Sequence, residues 1–192
     1  KVGFVGLGIM GRPMAINLIK SGFELSVYDV FPEAIDPVVA HGARAASTAA
    51  DAAKNSEITV TMVQDGPQAE AAILGDGGVL EGSEHGQLIV DMSSIAPAIS
   101  QKIVPECEAN GVDFIDAPVS GGEPFAISGD LAIMVGGKAD AFERARPLFD
   151  VMGKSAVLCG GVGAGNVTKL ANQIVVGGNI HALAEALVLA TK

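Results

Sequence analysis

Lys169 is the side chain in this sequence best suited to moving a proton. It lies just inside a predicted helix that opens at the glycine run of residues 160–165, and Asn172 follows on the same helix face. The positive end of the helix dipole and apolar neighbours disfavour a charged lysine. They lower its pKa and suit it to general acid or base chemistry. By spacing alone, a solvated helix lysine explains Lys169 equally well.

Three histidines are weaker candidates for the same chemistry. His41, His85 and His181 have no supporting pattern around them, so each is more simply a structural or solvent-exposed residue. The sequence also contains no spacing typical of metal ligands and no Ser/His/Asp arrangement. We therefore predict no metal site.

A second chemical feature is the tripeptide Ser120-Gly121-Gly122, which follows a predicted strand. It offers a hydroxyl and backbone N–H groups that no side chain obstructs. Such a turn is suited to holding a carboxylate. A flexible loop of the same composition is the alternative.

A glycine-rich turn near the N-terminus could hold phosphates. The motif Gly6-Leu7-Gly8-Ile9-Met10-Gly11 has the form G-x-G-x-x-G and joins a short apolar strand to a helix. In such turns the first glycine permits the bend, the second lets a pyrophosphate approach the backbone, and the third lets helix and strand pack closely. The N–H groups at the start of the helix then face the phosphates.

Asp29 gives this motif a dinucleotide context. It ends the second predicted strand, 18 residues after Gly11, where an acidic residue accepts hydrogen bonds from a ribose. No arginine lies nearby, and a 2′-phosphate would face a carboxylate, so NAD is the predicted cofactor and NADP the alternative. An ordinary strand-helix-strand unit with a surface aspartate would explain the same residues without a cofactor.

Alternating strands and helices predict an α/β fold with a doubly wound, parallel, Rossmann-type sheet over residues 1–162. Residues 75–86 are predicted to be glycine-rich surface. Ligands of such sheets bind outside the carboxyl ends of the strands, so the polar strand ends should outline one path for an extended dinucleotide. The predicted strands are residues 1–5, 23–28, 43–46, 57–63, 87–91, 112–116, 130–135 and 156–159.

The composition excludes several classes of partner. The 192 residues include 12 basic and 22 acidic ones without a basic cluster, so neither nucleic acid nor an anionic membrane is an expected partner. We find no apolar run long enough to cross a membrane and no signal-peptide pattern, which predicts a cytoplasmic protein. Cys107 and Cys159 have no metal or redox spacing and are predicted to be core thiols in a reducing compartment.

These motifs together resemble those of the β-hydroxyacid dehydrogenase family, which includes 3-hydroxyisobutyrate dehydrogenases and tartronate semialdehyde (2-hydroxy-3-oxopropionate) reductases. The glycine turn, with Met14, Asn17 and Gly22, is similar to the cofactor signature of the family. Residues 116–122 resemble its substrate-binding motif, and residues 160–172 resemble its catalytic motif.

The resemblance implies an NAD(P)-dependent oxidoreductase acting on a small carboxylate-bearing substrate. In this family's pattern Lys169 is the general acid/base, Asn172 contacts the substrate, and Ser120-Gly121-Gly122 binds it. Gln64 stands where the family usually has proline. The further cofactor contacts implied are Val63, Gln64, Gln68 and Ser94.

The family also has an all-helical C-terminal domain, joined by a long interdomain helix that helps to form a dimer. The last predicted helix of this sequence continues to Lys192 without a glycine or proline stop. The resemblance therefore implies that residues 163–192 begin the interdomain helix of a truncated chain. The full-length protein is then expected to be a dimer or tetramer, and the fragment alone can bind dinucleotide yet lack turnover.

The substrate stays open between two members of the family. Residues 93–97 and 120–124 resemble tartronate semialdehyde reductases, whereas residues 28–32 resemble 3-hydroxyisobutyrate dehydrogenases. We favour the former, because its resemblance lies nearer the substrate end of the crevice. Two alternatives are a non-catalytic dinucleotide-binding module and 6-phosphogluconate dehydrogenase, whose phosphorylated substrate calls for a basic pocket that this acidic sequence does not indicate.

Overall fold

The structure is a computed structural model that describes residues 1–191, with a nine-stranded sheet flanked by helices. The strands are β1 (Val2–Val5), β2 (Leu25–Tyr28), β3 (Arg44–Ala45), β4 (Ile58–Thr61), β5 (Leu88–Asp91), β6 (Asp113–Asp116), β7 (Val119–Ser120), β8 (Leu131–Gly136) and β9 (Gly153–Gly160). The helices are α1 (Gly11–Lys20), α2 (Pro32–Val39), α3 (Ala49–Ala53), α4 (Gly66–Leu74), α5 (Val79–Gly82), α6 (Pro97–Ala109), α7 (Gly122–Ser128), α8 (Ala139–Met152) and α9 (Ala164–Ala190).

The sheet has the order β3-β2-β1-β4-β5-β6-β8-β7, and β9 pairs with β8. Strands β1 to β6 are parallel to one another, which confirms the predicted doubly wound α/β fold. The chain starts at β1, builds β2 and β3 on one side, and then crosses to β4 on the other. Such a reversal opens a crevice at the carboxyl ends of β1 and β4.

The sheet also has an antiparallel extension. Strands β8 and β9 were predicted as members of the parallel sheet, and β7 was not predicted. Strand β8 runs antiparallel to both β6 and β7, and β9 is parallel to β8. Helix α7 was not predicted either, and it begins at Gly122, the last residue of the tripeptide predicted to hold a carboxylate. Helix α5 lies in the segment predicted to be glycine-rich surface, and its Val79 is fully buried.

The core lies on both faces of the sheet, because successive strand residues point to opposite sides. Strand β5 illustrates this: Leu88 and Val90 belong to one buried cluster, which includes residues of α1 and α8. Ile89 between them belongs to a second cluster, which includes residues of α3 and α6. Helices therefore cover both faces, and the site must lie at an edge.

Helix α9 is the longest element, with 27 residues. Its predicted end, Lys192, lies outside the described residues. Length and composition alone would let α9 cross a membrane, which the sequence analysis did not expect. Its first turns pack against β8 and β9, however, and Asn166 and Lys169 in them are buried. This part of α9 therefore packs against the sheet.

Candidate active site at the carboxyl ends of the strands

The carboxyl ends of five strands lie in one row across the sheet. Val5 is the partner of both Tyr28 and Thr61, Thr61 is the partner of Asp91, and Asp91 is the partner of Asp116. The segments that follow these residues leave the sheet at the same edge. The structure thus brings together the four strand ends that were expected to line a cofactor path.

The three motif glycines have different surroundings. Gly6 has φ +95°, and a Cβ there would overlap the carbonyl oxygen of Met62. A Cβ on Gly11 would overlap the carbonyl oxygen of Gly6, whereas a Cβ on Gly8 would have no atom within 4 Å. Gly6 and Gly11 are therefore required by the fold, and Gly8 faces open space. Helix α1 begins beside this space without a side-chain N-cap, so the cradle fits a pyrophosphate.

Asp29 holds the glycine turn in place. Its Oδ2 accepts a hydrogen bond from the backbone N–H of Leu7 at 2.6 Å, and its Oδ1 accepts one from Phe31 at 2.9 Å. Each carboxylate oxygen has two lone pairs, so both oxygens can still accept from ribose hydroxyls. The glycine turn, through the N–H of Leu7, therefore fixes the orientation of the Asp29 carboxylate.

The loops after β4 and β5 are joined to each other. The N–H of Val63 donates to Oγ of Ser93 at 3.0 Å, and the exposed Ser94 follows directly. The N–H of Gln64 donates to Oε1 of Gln68 at 3.3 Å, and the Gln64 side chain is exposed. Of the four residues that the family resemblance assigns to the cofactor, Val63, Gln64 and Ser94 lie in these two loops, and Gln68 lies in the first turn of α4.

Asp91, at the end of β5, contacts Ser93, one of the residues that join these two loops, and it was not predicted from the sequence. Its Oδ1 accepts hydrogen bonds from Oγ1 of Thr61 at 2.8 Å and from the N–H of Ser93 at 3.2 Å. Its Oδ2 is buried and has no hydrogen-bond partner among the described residues. Burial raises the pKa of Asp91 to about 6. Its position at the end of an apolar strand was the available signal.

Lys169 is nearly buried, with 8% of its surface exposed. Its Nζ donates a hydrogen bond to Oε1 of Gln173 at 3.0 Å. Burial lowers the pKa of Lys169, as predicted, although the helix dipole is not needed to explain the shift. Gln173 was missed by the sequence analysis, and its place four residues after the lysine could have revealed it.

Asn172 joins α9 to the segment predicted to bind a carboxylate. Its Nδ2 donates to Oγ of Ser120 at 3.3 Å. Gly121 has φ +140° and Gly122 has φ +70°, which non-glycine residues rarely adopt. The two glycines are exposed, so their backbone groups are accessible beside the serine hydroxyl.

Asn166 connects the lysine helix to the cofactor loops. Its Oδ1 accepts a hydrogen bond from the N–H of Ile95 at 3.4 Å, and its Nδ2 donates to Oγ of Ser100 at 3.0 Å. Ile95 directly follows Ser94 in the loop after β5. The candidate proton-transfer group and the candidate cofactor loops therefore belong to one site.

The histidines and cysteines take no part in the hydrogen bonds described for this site. The three histidines are exposed, and His181 faces Glu185 on the outer part of α9. Cys107 is buried, which raises the pKa of its thiol to about 12, but Cys159 is exposed, so its prediction as a core thiol was wrong. Within residues 1–191, no cluster of His, Cys, Asp and Glu could hold a metal ion.

A protein-family model and several known proteins match the chain. A family described as the NAD binding domain of 6-phosphogluconate dehydrogenase matches residues 1–163. The chain is 47% identical over 192 residues to 2-hydroxy-3-oxopropionate reductase of Escherichia coli K12 and covers 65% of that protein. It is 42% identical over 186 residues to human mitochondrial 3-hydroxyisobutyrate dehydrogenase, with 97% of this chain and 55% of that protein covered.

The chain belongs to the β-hydroxyacid dehydrogenase family. A solved structure of Mycobacterium tuberculosis 3-hydroxyisobutyrate dehydrogenase with L-serine has a TM-score of 0.91 to this chain at 34% identity. The alignment covers 100% of this chain and 65% of that one. The chain thus spans 55–65% of the length of these three proteins, and its residues 1–163 match an NAD-binding domain.

Proposed function

We propose that the full-length protein is an NAD-dependent β-hydroxyacid dehydrogenase that acts as a 2-hydroxy-3-oxopropionate reductase. The observation that carries the proposal is the nearly buried Lys169, held by Gln173 one helical turn away. Its neighbour Asn172 contacts Ser120 at the mouth of a dinucleotide crevice. A lysine in that place, with its pKa lowered by burial, can act as a general acid/base for a hydroxyl or carbonyl oxygen.

The cofactor would lie along the carboxyl edge of the sheet. When bound, nicotinamide supplies or accepts the hydride. The Asp29 carboxylate favours the ribose hydroxyls of NAD over a 2′-phosphate, which leaves NADP as the alternative. The residues that would hold the cofactor are Gly6, Leu7, Gly8, Ile9, Met10, Gly11, Asp29, Val63, Gln64, Gln68 and Ser94.

The substrate would be held between α9 and the loop after β7. The hydroxyl of Ser120 and the backbone of Gly121 and Gly122 receive its carboxylate, and Asn172 orients its reacting oxygen. Lys169 then gives a proton to the carbonyl oxygen during reduction, or takes one from the hydroxyl during oxidation. Gln173 accepts a hydrogen bond from Nζ and so restricts the positions that Nζ can take.

The choice of substrate is supported by the residues that line its end of the crevice. Residues 93–97 and 120–124 resemble tartronate semialdehyde reductases, and the relative of that name shares 47% of its residues with this chain. 3-Hydroxyisobutyrate is the second candidate, because residues 28–32 resemble the dehydrogenases that bear its name. Their representative in humans shares 42%.

The proposal assigns residues 1–162 to the dinucleotide domain and residues 163–192 to the start of an interdomain helix. Apolar side chains on α9 are exposed, with Ile174 at 77% and Leu183 at 61%, which supports cover by a helical domain and a second subunit. We therefore expect a homo-oligomer, and the cytoplasmic location stays an expectation from the sequence.

A spectrophotometric screen of the full-length protein tests this function. Reduction of tartronate semialdehyde and oxidation of 3-hydroxyisobutyrate are followed at 340 nm (roughly the absorbance band of the reduced nicotinamide) with each cofactor separately. Fast reduction of the semialdehyde with NADH is the expected result. Activity confined to 3-hydroxyisobutyrate would select the second candidate. Cofactor binding without turnover of either compound would contradict the proposal and favour a non-catalytic binding module.

A further inference from the structure

The start of α9 is capped from another part of the chain. Its N-cap position is Gly163, with φ +92°, and no side chain at that position accepts a hydrogen bond. Helices leave their first N–H groups without partners, and a nearby Ser, Thr, Asp or Asn usually fills that need. The segment before α9 consists of glycine, valine and alanine, so it cannot supply such an oxygen.

Asp116, at the end of β6, supplies both oxygens instead. Its Oδ1 accepts from the N–H of Gly163 at 2.7 Å, and its Oδ2 accepts from the N–H of Asn166 at 2.8 Å. Asp116 is completely buried, and a carboxylate is the form that can accept both N–H groups. It lies in the motif attributed to substrate binding, yet both its oxygens point at α9.

Glycines shape the space around this carboxylate. A Cβ on Gly136 would overlap Oδ1 of Asp116, and a Cβ on Gly165 would lie 2.9 Å from its Oδ2. The site therefore accepts a carboxylate only because two facing residues have no side chain. A glutamate at position 116 would have no room for its extra methylene.

Lys169 lies between two points at which α9 is hydrogen-bonded to residues 116–120. Asp116 binds the start of α9, six residues or about 9 Å along the helix axis before the lysine. Ser120, from the same segment, accepts a hydrogen bond from Asn172 one turn beyond the lysine. A tilt or shift of the first turn of α9 would therefore move Nζ relative to the substrate.

We propose that Asp116 is a positioning residue that sets the place of Lys169 by capping α9, and that it does not contact the substrate. The inference rests on the proposed function for its kinetic part only. Misplacement of a reacting group by about 1 Å costs on the order of 100-fold in rate. Loss of the cap should thus lower kcat and leave binding of substrate and cofactor almost unchanged.

The test compares Asp116→Asn with Asp113→Asn in the full-length protein. Both changes remove a carboxylate from β6, but Asp113 pairs with Lys138 and Arg144 at the opposite end of the strand. We expect Asp116→Asn to lower kcat per cofactor-binding site by about 10- to 100-fold, with KM and cofactor Kd within threefold. Asp113→Asn should keep the wild-type kcat. If Asp116 were purely structural, the substitution would lower Tm without lowering kcat selectively over KM and the cofactor Kd. A kcat within threefold of wild type would overturn the proposal.

Hydrogen exchange measured by mass spectrometry gives a second readout that needs no turnover. Asp116→Asn should speed amide exchange in peptides that cover residues 163–173 and leave the peptides of β1 and α1 unchanged. If the wild type turns over no β-hydroxyacid but this local change occurs, the proposed function fails and the cap stands. Unchanged exchange would overturn the cap even in an active enzyme.

Ser100→Ala serves if Asp116→Asn does not fold. It removes the partner of Asn166 Nδ2 at 3.0 Å and leaves the Asp116 contacts in place. Because it loosens the same first turn of α9, kcat should fall about three- to tenfold with KM unchanged, a smaller misplacement than that of the lost cap. A wild-type kcat would contradict the claim that this turn positions the lysine.

Discussion

Replacing Gly8 with alanine should separate cofactor binding from folding. A methyl group at this position meets no atom within 4 Å, and Gly8 does not have a positive φ. The substitution should therefore change the free energy of unfolding by less than about 1 kcal/mol, and in the stabilising direction, since alanine restricts the unfolded chain. The same methyl group fills the space through which a pyrophosphate would approach. Overpacking of this kind costs about 1–3 kcal/mol, which corresponds to about a 5- to 150-fold rise in the Kd of NADH.

Gly11→Ala is the matched control, because its methyl group would overlap the carbonyl oxygen of Gly6 within the fold itself. It should lower the free energy of unfolding by about 1–3 kcal/mol or more. Urea denaturation and fluorescence titration with NADH measure the two quantities on the same full-length samples. Wild-type NADH affinity in Gly8→Ala, or a loss of stability in it equal to that of Gly11→Ala, would refute the assignment of this space to the cofactor.

Three further predictions concern other carboxylates and thiols. Asp29→Ser should weaken NADH binding about tenfold, since charge-assisted hydrogen bonds to the ribose are lost, and should raise the affinity for NADPH relative to that for NADH. An unchanged ratio of the two affinities in titrations would contradict the role of Asp29. Because the pKa of Asp91 is raised from 3.8 to about 6, the native state binds the proton more tightly, so stability should fall as pH rises from about 4 to 7. Asp91→Asn should remove up to about 3 kcal/mol of that fall in the free energy of unfolding, measured by denaturation at a series of pH values. An unchanged dependence of the free energy of unfolding on pH would contradict the raised pKa of Asp91. Iodoacetamide at pH 8 should label Cys159 and leave Cys107, whose pKa is raised to about 12, until the protein unfolds; peptide mapping that finds both labelled in the native state would show an open core.

The sequence predicted the cofactor edge of the site because its signals are local. A glycine turn between a strand and a helix, with an acidic residue at a set distance, specifies both backbone shape and ligand chemistry. Asp29 was predicted to face a ribose, and the structure adds that it also orders the turn through Leu7. The role of each of these residues toward a bound cofactor stays a prediction.

The supporting contacts could not be predicted, because they join residues far apart in the chain. Asp116 caps α9 through the N–H of Gly163, 47 residues later, and Asn166 accepts a hydrogen bond from a loop residue 71 positions earlier. No periodicity or spacing encodes such pairs before the topology is known. Gln173 is the exception, since its spacing from Lys169 was readable and only its importance was missed. Strand β8 was found as a strand, but its antiparallel direction depends on the short unpredicted helix α7 that turns the chain.

The proton-transfer role of Lys169 is tested by the single-turnover rate of a Lys169→Met variant of the full-length protein. Methionine keeps an unbranched side chain that is one heavy atom shorter, and it removes the amine that carries the proton. Transfer by a positioned general acid contributes about 10²- to 10⁴-fold, so the hydride-transfer rate should fall by that factor, while the Kd of NADH stays within twofold. Lys154→Met, on the exposed face of β9, should match the wild type in both. A Lys169→Met rate within threefold of wild type, or a parallel loss of NADH affinity, would contradict the assignment of Lys169 as the proton-transfer group.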